Sequence, residues 1–364
     1  MPGFFIYFSV PHVLTTDKFL LTVSHFPLCL AKVATRRGTA RDQRLHLKDQ
    51  ATSLNALSIH GHRGARGHAP ENTLAGFRLA AQTGVDGMEL DVLVSADECI
   101  VIHHDARLNP ELTRTPSGDW LKPPYPLVRD LTVAQLQRFD VGRARPGSQT
   151  AHSFPKQVAV DGQSPPTLKQ LAELLNAFGP EAPLLNIETK SDPYRPDANP
   201  GPSEYAALLV GELQAYDLLE RCWVQSFDWR VLRAIQRLEP DLVTGYLSSS
   251  QEHGGNIGSQ KPSPWLDGFD PQGFGDNIAA AVRTAGGQFW GPAFRDLDHQ
   301  SMRQARAVGI GVHCWTVNEE QDIKKVMTLG VDGFTTDFPE RAMRLAGRTR
   351  ATEHKNQSVT TSSG

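Results

Sequence analysis

From about Leu57 onward the chain alternates short apolar runs with amphipathic segments, and few architectures can absorb that order. The strand-like runs are Ala56–His60, Gly87–Val94, Pro183–Ile187, Cys222–Ser226, Leu242–Leu247, Gln288–Trp290, Gly311–Trp315 and Gly333–Thr336. Most are short and apolar, as expected for parallel strands covered by helices. Amphipathic stretches lie between them at Glu71–Gln82, Thr167–Phe178, Ser203–Tyr216, Trp229–Leu238, Asp276–Thr284, Asp298–Ala307 and Glu319–Leu329, with Pro339–Leu345 last. Gly84, Gly179, Pro240, Gly286, Gly309 and Gly330 supply the stops expected at helix ends. Strands interleaved with helices over roughly 290 residues predict a TIM (β/α)8 barrel. A doubly wound open sheet would want a Gly-rich phosphate turn after an early strand, and Gly61-His62-Arg63-Gly64 does not fit that spacing.

Cys99–His103 is a further strand-like run, linked to Val94 by only Ser95-Ala96-Asp97-Glu98. So short a link predicts a hairpin on the rim, because a parallel stave needs a long crossover. The barrel is expected over residues 56–347, with a loop-rich insertion at 106–166 after the second strand. That insertion is rich in Pro and Gly around one helix-like stretch, Thr132–Phe139, and Gln251–Gly275 is a second long loop. Loops of this length in a compact domain are commonly functional.

Composition narrows the partners. A formal charge of −3 gives no general attraction to nucleic acid or anionic membrane. No stretch reaches the roughly 18 apolar residues of a membrane span. Cys29, Cys99, Cys222 and Cys314 lack CxxC spacing, which argues against a zinc site and predicts buried thiols for the last three. Residues 1–55 read as a leader, disordered or targeting, and 348–364 as a disordered tail. Phe19–Ala31 has the apolarity of a signal-peptide core, but no clean small-residue cleavage site follows. The expected compartment is cytoplasmic, or periplasmic or secreted if residues 1–35 act as a signal.

In a barrel, chemistry sits where strands end and the following loops begin. His62 and Arg63 follow the first strand, Glu89 and Asp91 lie on the second, and Glu188 with Lys190 closes the third, while Gln225, Trp315 and Asp337 fall near the ends of the fourth, seventh and eighth. Residues two apart on a strand share a face, so each of these pairs puts two charged groups together. Three converging carboxylates repel unless a cation lies between them, and an all-oxygen set suits Mg²⁺ or Ca²⁺. Arg63 can fork onto a phosphate and Lys190 can add a point charge. His62 and His104 can divide the proton work of splitting a phosphodiester. Each feature has a plainer reading: Asn72-Thr73 as a helix cap, Glu-Leu-Asp as an exposed strand face, Trp315 as core or as a substrate-facing ring. His60 reads as structural, His313 and Cys314 as barrel wall. His103 and His104 point to opposite faces, and His104 is favoured because Asp105 and the long loop follow it.

The ordered set His62-Arg63-Gly64, Pro70-Glu71-Asn72-Thr73, Glu89-Leu90-Asp91-Val92, His104-Asp105, Glu188-Thr189-Lys190, Trp315-Thr316-Val317-Asn318 and Asp332 to Pro339 resembles the glycerophosphodiester phosphodiesterase family. The resemblance implies hydrolysis of glycerophosphodiesters to sn-glycerol 3-phosphate and an alcohol, with one divalent cation, Mg²⁺ or Ca²⁺. It implies His62 and His104 as the acid–base pair and Glu89, Asp91 and Glu188 as metal ligands. Arg63 and Lys190 would bind phosphate, and Trp315 is expected to line the substrate site. The implied partner is a small molecule. Two other readings are a lysophospholipase D-like activity, which needs an apolar groove in the long loops, and a catalytically silent phosphodiester-binding barrel.

Overall fold

The computed structural model describes residues 57–251, 255–258 and 262–348. The expected leader, and the expected tail beyond Arg348, fall outside the described residues. The chain runs β1 (Ser58–Gly61), α1 (Leu74–Thr83), β2 (Gly87–Val94), β3 (Ile100–Ile102), α2 (Val133–Leu136), α3 (Gln149–Ser153) and α4 (Leu168–Phe178). There follow β4 (Leu184–Thr189), α5 (Pro202–Ala215), β5 (Cys222–Ser226), α6 (Trp229–Leu238), β6 (Thr244–Ser248) and α7 (Ile278–Thr284). The last elements are β7 (Phe289–Pro292), α8 (His299–Ala307), β8 (Gly311–Cys314), α9 (Glu320–Leu329), β9 (Gly333–Thr336) and α10 (Pro339–Leu345).

The strand order β1-β9-β8-β7-β6-β5-β4-β2, with β1 also paired to β2, closes a parallel barrel, so the fold is the expected TIM (β/α)8 barrel. Closure is possible because β2 is long. Its first residues pair with β1, its body pairs with β4, and Val92–Val94 pair antiparallel with β3. The run Ile100–Ile102 is thus the rim hairpin that its short link requires.

Why these segments are helices is visible at their ends. Thr73 caps α1 by accepting from Gly76 N at 3.0 Å, and Thr167 forms a capping box with Gln170 at α4. The helix α1 starts at Leu74, later than the apolar pattern suggests, because Glu71 and Asn72 are drawn into the loop by other partners. In the long segment after β3, only Val133–Leu136 of the expected Thr132–Phe139 is helical, and a short helix at Gln149–Ser153 joins it. This segment has a small core of its own: Leu108, Leu121, Val128 and Leu136 pack on Leu93 and Val101 of the hairpin. Burial of such side chains is worth about 1.5–3 kcal/mol each, enough to order a Pro- and Gly-rich stretch on the rim.

The barrel interior is stratified. At its lower level His60 stacks on Trp223 at 4.8 Å and meets His313 at 4.4 Å, with Phe289 beside Trp223. Gly87 faces this layer because a Cβ there would lie 2.4 Å from the His60 ring. His60 and His313 are fully or nearly buried, as their place in the apolar runs suggested, and burial pushes the His60 imidazole down to about 3. Cys99, Cys222 and Cys314 are buried, as expected.

Candidate active site

One level above that layer, toward the C-terminal ends of the strands, the inward side chains become acidic. Parallel pairing sets Asp91 of β2 directly beside Glu188 of β4, and Glu188 beside Gln225 of β5. Glu89 lies two residues before Asp91, on the same face. The three carboxylates are buried, and oxygens from all of them lie within 4.8 Å of one another. Burial, aggravated by Asp91 and Glu188, raises Glu89 well above the usual carboxylate range. Burial likewise raises Glu188, with Asp91 adding to it. Asp91 goes the other way: the charges of Lys190 and Arg63, with a hydrogen bond from Asn72, outweigh the effect of its burial.

Lys190 Nζ sits 2.5 Å from Glu188 Oε1 and 3.1 Å from Asp91 Oδ1, the latter without hydrogen-bond geometry. Glu89 Oε1 and Asp91 Oδ1 are buried with no hydrogen-bond partner. Asp91 Oδ1 has the Lys190 ammonium beside it, but an acidic oxygen left bare in a protein interior, as Glu89 Oε1 is, is costly unless a cation satisfies it. The donor set therefore fits a hard divalent ion bound through Glu89, Asp91 and Glu188.

Two imidazoles flank this trio. His62 follows β1, and its Nδ1 contacts Asp337 Oδ1 at 2.6 Å while Nε2 lies 3.8 Å from Glu89 Oε2. Asn318 Nδ2 donates to Asp337 Oδ2 at 2.6 Å. Although burial works against it, Asp337 is held down at about 2 by the His62 charge and hydrogen bond. His104 repeats the pattern on the other side: Nδ1 meets Asp105 Oδ1 at 2.7 Å, and Asn109 Nδ2 donates to Asp105 Oδ2 at 2.8 Å. Burial lowers His104 to about 4, and Arg63 and Lys190 push the same way. A carboxylate on Nδ1 fixes the neutral tautomer that leaves Nε2 as an acceptor. His103, by contrast, is buried.

The loop after β1 holds the remaining parts. Arg63 takes φ 50° and Asn72 φ 53°, a left-handed conformation uncommon for an arginine and more readily taken by asparagine. Gly64 (φ 88°) could not be replaced, since a Cβ would stand 2.7 Å from the backbone carbon of Gly76. The turn lets Arg63 N donate to Glu89 Oε2 at 2.9 Å, and Arg63 Nη1 donate to Glu71 Oε1 at 2.6 Å. Asn72 Nδ2 donates to Asp91 Oδ2 at 2.8 Å, so Thr73 alone is the helix cap and Asn72 serves the acidic trio. Trp315 is half-buried, its Nε1 donating to Gly291 O at 2.8 Å and its ring edge-on to Phe227 at 5.3 Å.

Thus His62, Arg63, Glu89, Asp91, His104, Glu188 and Lys190 gather at one end of the barrel, with Trp315 at the end of β8, its seventh strand. Strand-end position alone put Asp337 among the candidates, without a role, and sequence reasoning gave no role to Asp105, Glu71 or Asn72. Asp105 carried a signal, being adjacent to His104. Asp337 stands 275 residues from His62, and only strand alternation placing it at the end of β9 hinted at it.

The sequence profile of the glycerophosphoryl diester phosphodiesterase family matches residues 62–341. A glycerophosphodiester phosphodiesterase of Bacillus altitudinis is 30% identical over 287 residues, covering 79% of this chain and 97% of that protein. A solved structure from Silicibacter pomeroyi, assigned to the glycerophosphoryl diester phosphodiesterases, superposes with a TM-score of 0.71 at 34% identity, covering 80% of this chain and 93% of that one. The fold also recurs in an Oleispira antarctica phosphodiesterase solved with the product sn-glycerol-3-phosphate, with a TM-score of 0.59 at 24% identity over 82% of this chain and 99% of that one. An ordered motif set, a closed barrel and an acidic centre flanked by two imidazoles all agree with these matches, and the chain belongs to the glycerophosphoryl diester phosphodiesterase family, hydrolases that act on glycerophosphodiesters.

Proposed function

We propose that this chain hydrolyses glycerophosphodiesters to sn-glycerol 3-phosphate and an alcohol, using one divalent cation, Mg²⁺ or Ca²⁺, and two histidines. The observation that carries this reading is the pairing of a carboxylate with Nδ1 of each imidazole, on either side of the buried acidic trio. Glu89, Asp91 and Glu188 would hold the ion, which when bound supplies positive charge to polarise a phosphoryl oxygen and acidify a nearby hydroxyl. Arg63, braced by Glu71, presents a guanidinium to the phosphate, and Lys190 adds its ammonium beside it.

One histidine removes the proton from the glycerol 2-hydroxyl as that oxygen attacks phosphorus in line. The other gives its proton to the departing alkoxide, so the alcohol leaves neutral and a cyclic phosphate remains. Water then opens the ring with the roles reversed, which restores both histidines. Asp337 and Asp105 hold the rings and stabilise the imidazolium formed at each stage. The carboxylates are buried, where electrostatic terms count most.

Replacing His62 or His104 with Ala should lower turnover by about 10²–10⁴-fold, the usual share of general acid–base catalysis. Release of sn-glycerol 3-phosphate measures it, with thermal unfolding as the check on the fold. Near-wild-type rates in either variant would remove that residue from the mechanism. Comparing glycerophosphocholine with lysophosphatidylcholine separates this reading from a lysophospholipase D-like one.

A further inference from the structure

Beside His62 the rim of the site carries cations that the hydrolytic steps do not use. Arg66, one-fifth exposed, donates from Nε to Glu71 Oε2 at 2.5 Å, so Glu71 is shared between Arg63 and Arg66. The Arg66 guanidinium lies 4.6 Å over the ring of Phe154, which comes from the inserted segment. Phe154 in turn meets Phe338 at 6.2 Å, and Arg341 lies 4.5 Å over Phe338. Phe338 directly follows Asp337, the carboxylate that holds His62. The same segment is stitched to the His62 loop by Gln157 Nε2 donating to Arg66 O at 2.8 Å and Val158 N donating to His68 O at 2.9 Å. Lys156, exposed, directly precedes Gln157, and Lys156, Arg341 and Glu340 are all near enough to act on the charge of His68. Arg66 is near enough to act on Asp337.

Three positive charges, Arg66, Lys156 and Arg341, therefore face two rim carboxylates, Glu340 and the largely exposed Glu319, 3.9 Å from Arg341 Nη1, while Glu71 is divided between two guanidiniums. A quaternary ammonium is recognised by open aromatic faces. Both rings here already carry a guanidinium.

Resting on the function proposed above, we propose that this rim is the subsite for the alcohol half of the diester. It favours glycerophosphodiesters whose alcohol is a neutral polyol or carries negative charge over those bearing a quaternary ammonium. The inserted segment thereby sets selectivity through Phe154 and Lys156, and His62 stands on the alcohol side of the phosphate.

The test compares glycerophosphoglycerol with glycerophosphocholine, which differ only in the alcohol, in the wild type, Arg66→Gln and Lys156→Glu. The wild type should show the higher kcat/KM for glycerophosphoglycerol. Each variant should raise the choline-to-glycerol ratio by about threefold or more, the effect of altering one or two charges several ångströms from an ammonium at the rim. Added salt should narrow the wild-type gap. Lys156 is exposed, so its variant tests rim charge even if Arg66→Gln unfolds. A ratio within about twofold of wild type in both folded variants, or a wild type that prefers the choline diester, overturns the inference. If the wild type turns over neither diester, the reaction itself is refuted, and the selectivity with it.

Discussion

Asp337→Asn isolates one hydrogen bond whose loss the structure allows to be sized. The carboxylate is buried and touches His62 Nδ1 at 2.6 Å, with Asn318 on its other oxygen. When His62 takes up a proton, a full imidazolium–carboxylate pair forms there. Unit charges about 4 Å apart interact by about 4 kcal/mol at the effective dielectric of such sites, and every 1.36 kcal/mol is tenfold in rate. An asparagine of the same shape keeps a polar contact to Asn318 but supplies no charge. Its amide can also donate to Nδ1, which moves the imidazole proton to Nε2, the wrong nitrogen for a base. The expected loss in kcat is therefore about 10³-fold, with thermal unfolding little changed. The assay is release of sn-glycerol 3-phosphate at saturating divalent ion, run on Asp337→Asn, His62→Ala and the double variant. Because Asp337 acts through His62, the double variant should be no slower than His62→Ala alone. A loss under tenfold in Asp337→Asn, or a double variant slower than His62→Ala by a further large factor, would refute the reasoning.

Two further expectations concern stability. Glu89, raised well above its ordinary range mainly by burial, loses stability for the fold as pH rises through its folded-state value, and glutamine cannot ionise. Glu89→Gln should thus raise the melting temperature of chelator-treated protein at pH 8 while abolishing the upward shift of about a few degrees expected of the wild type in millimolar Mg²⁺ or Ca²⁺; an unchanged ion response in the variant would remove Glu89 from the proposed ligand set. His60 is pushed from 6.5 to about 3 by burial, so the unfolded chain binds its proton first and stability falls as pH drops below about 6.5 toward 3. His60→Gln should flatten that slope in urea titrations between pH 6.5 and 4, and a slope equal to wild type would place the acid sensitivity elsewhere.

The fold was legible because it is written as periodicity. Apolar runs and amphipathic segments are local facts, and β2 to β9 fall close to where those runs lie. The sequence-adjacent parts of the site were legible for the same reason: Glu89 with Asp91, and Glu188 with Lys190, owe their common face to strand alternation alone. What was not legible depends on closure of the barrel. Asp337 reaches His62 only because β9 pairs with β1, register Thr336 to Gly61, and nothing local to either residue encodes that pairing. Asn72 was ambiguous because Asn and Thr both cap helices, and the tie is broken by Asp91, which lies 19 residues on. Glu71 sat within the amphipathic pattern of a helix, yet two guanidiniums hold it in the loop.

These late-resolved residues share a physical role. Glu89, Asp91 and Glu188 are an unfavourable group for the fold, buried acids drawn together with two oxygens lacking a hydrogen bond. Such a group keeps its shape only if its surroundings over-determine it. The Arg63 amide, Asn72 and Lys190 each fix one carboxylate, while Asp337 and Asp105 fix the two imidazoles. The proposed ligands and bases are readable from type and spacing because chemistry dictates them. Their supports can be any polar residue that the closed barrel brings within reach, and so become readable only when the strands have been joined.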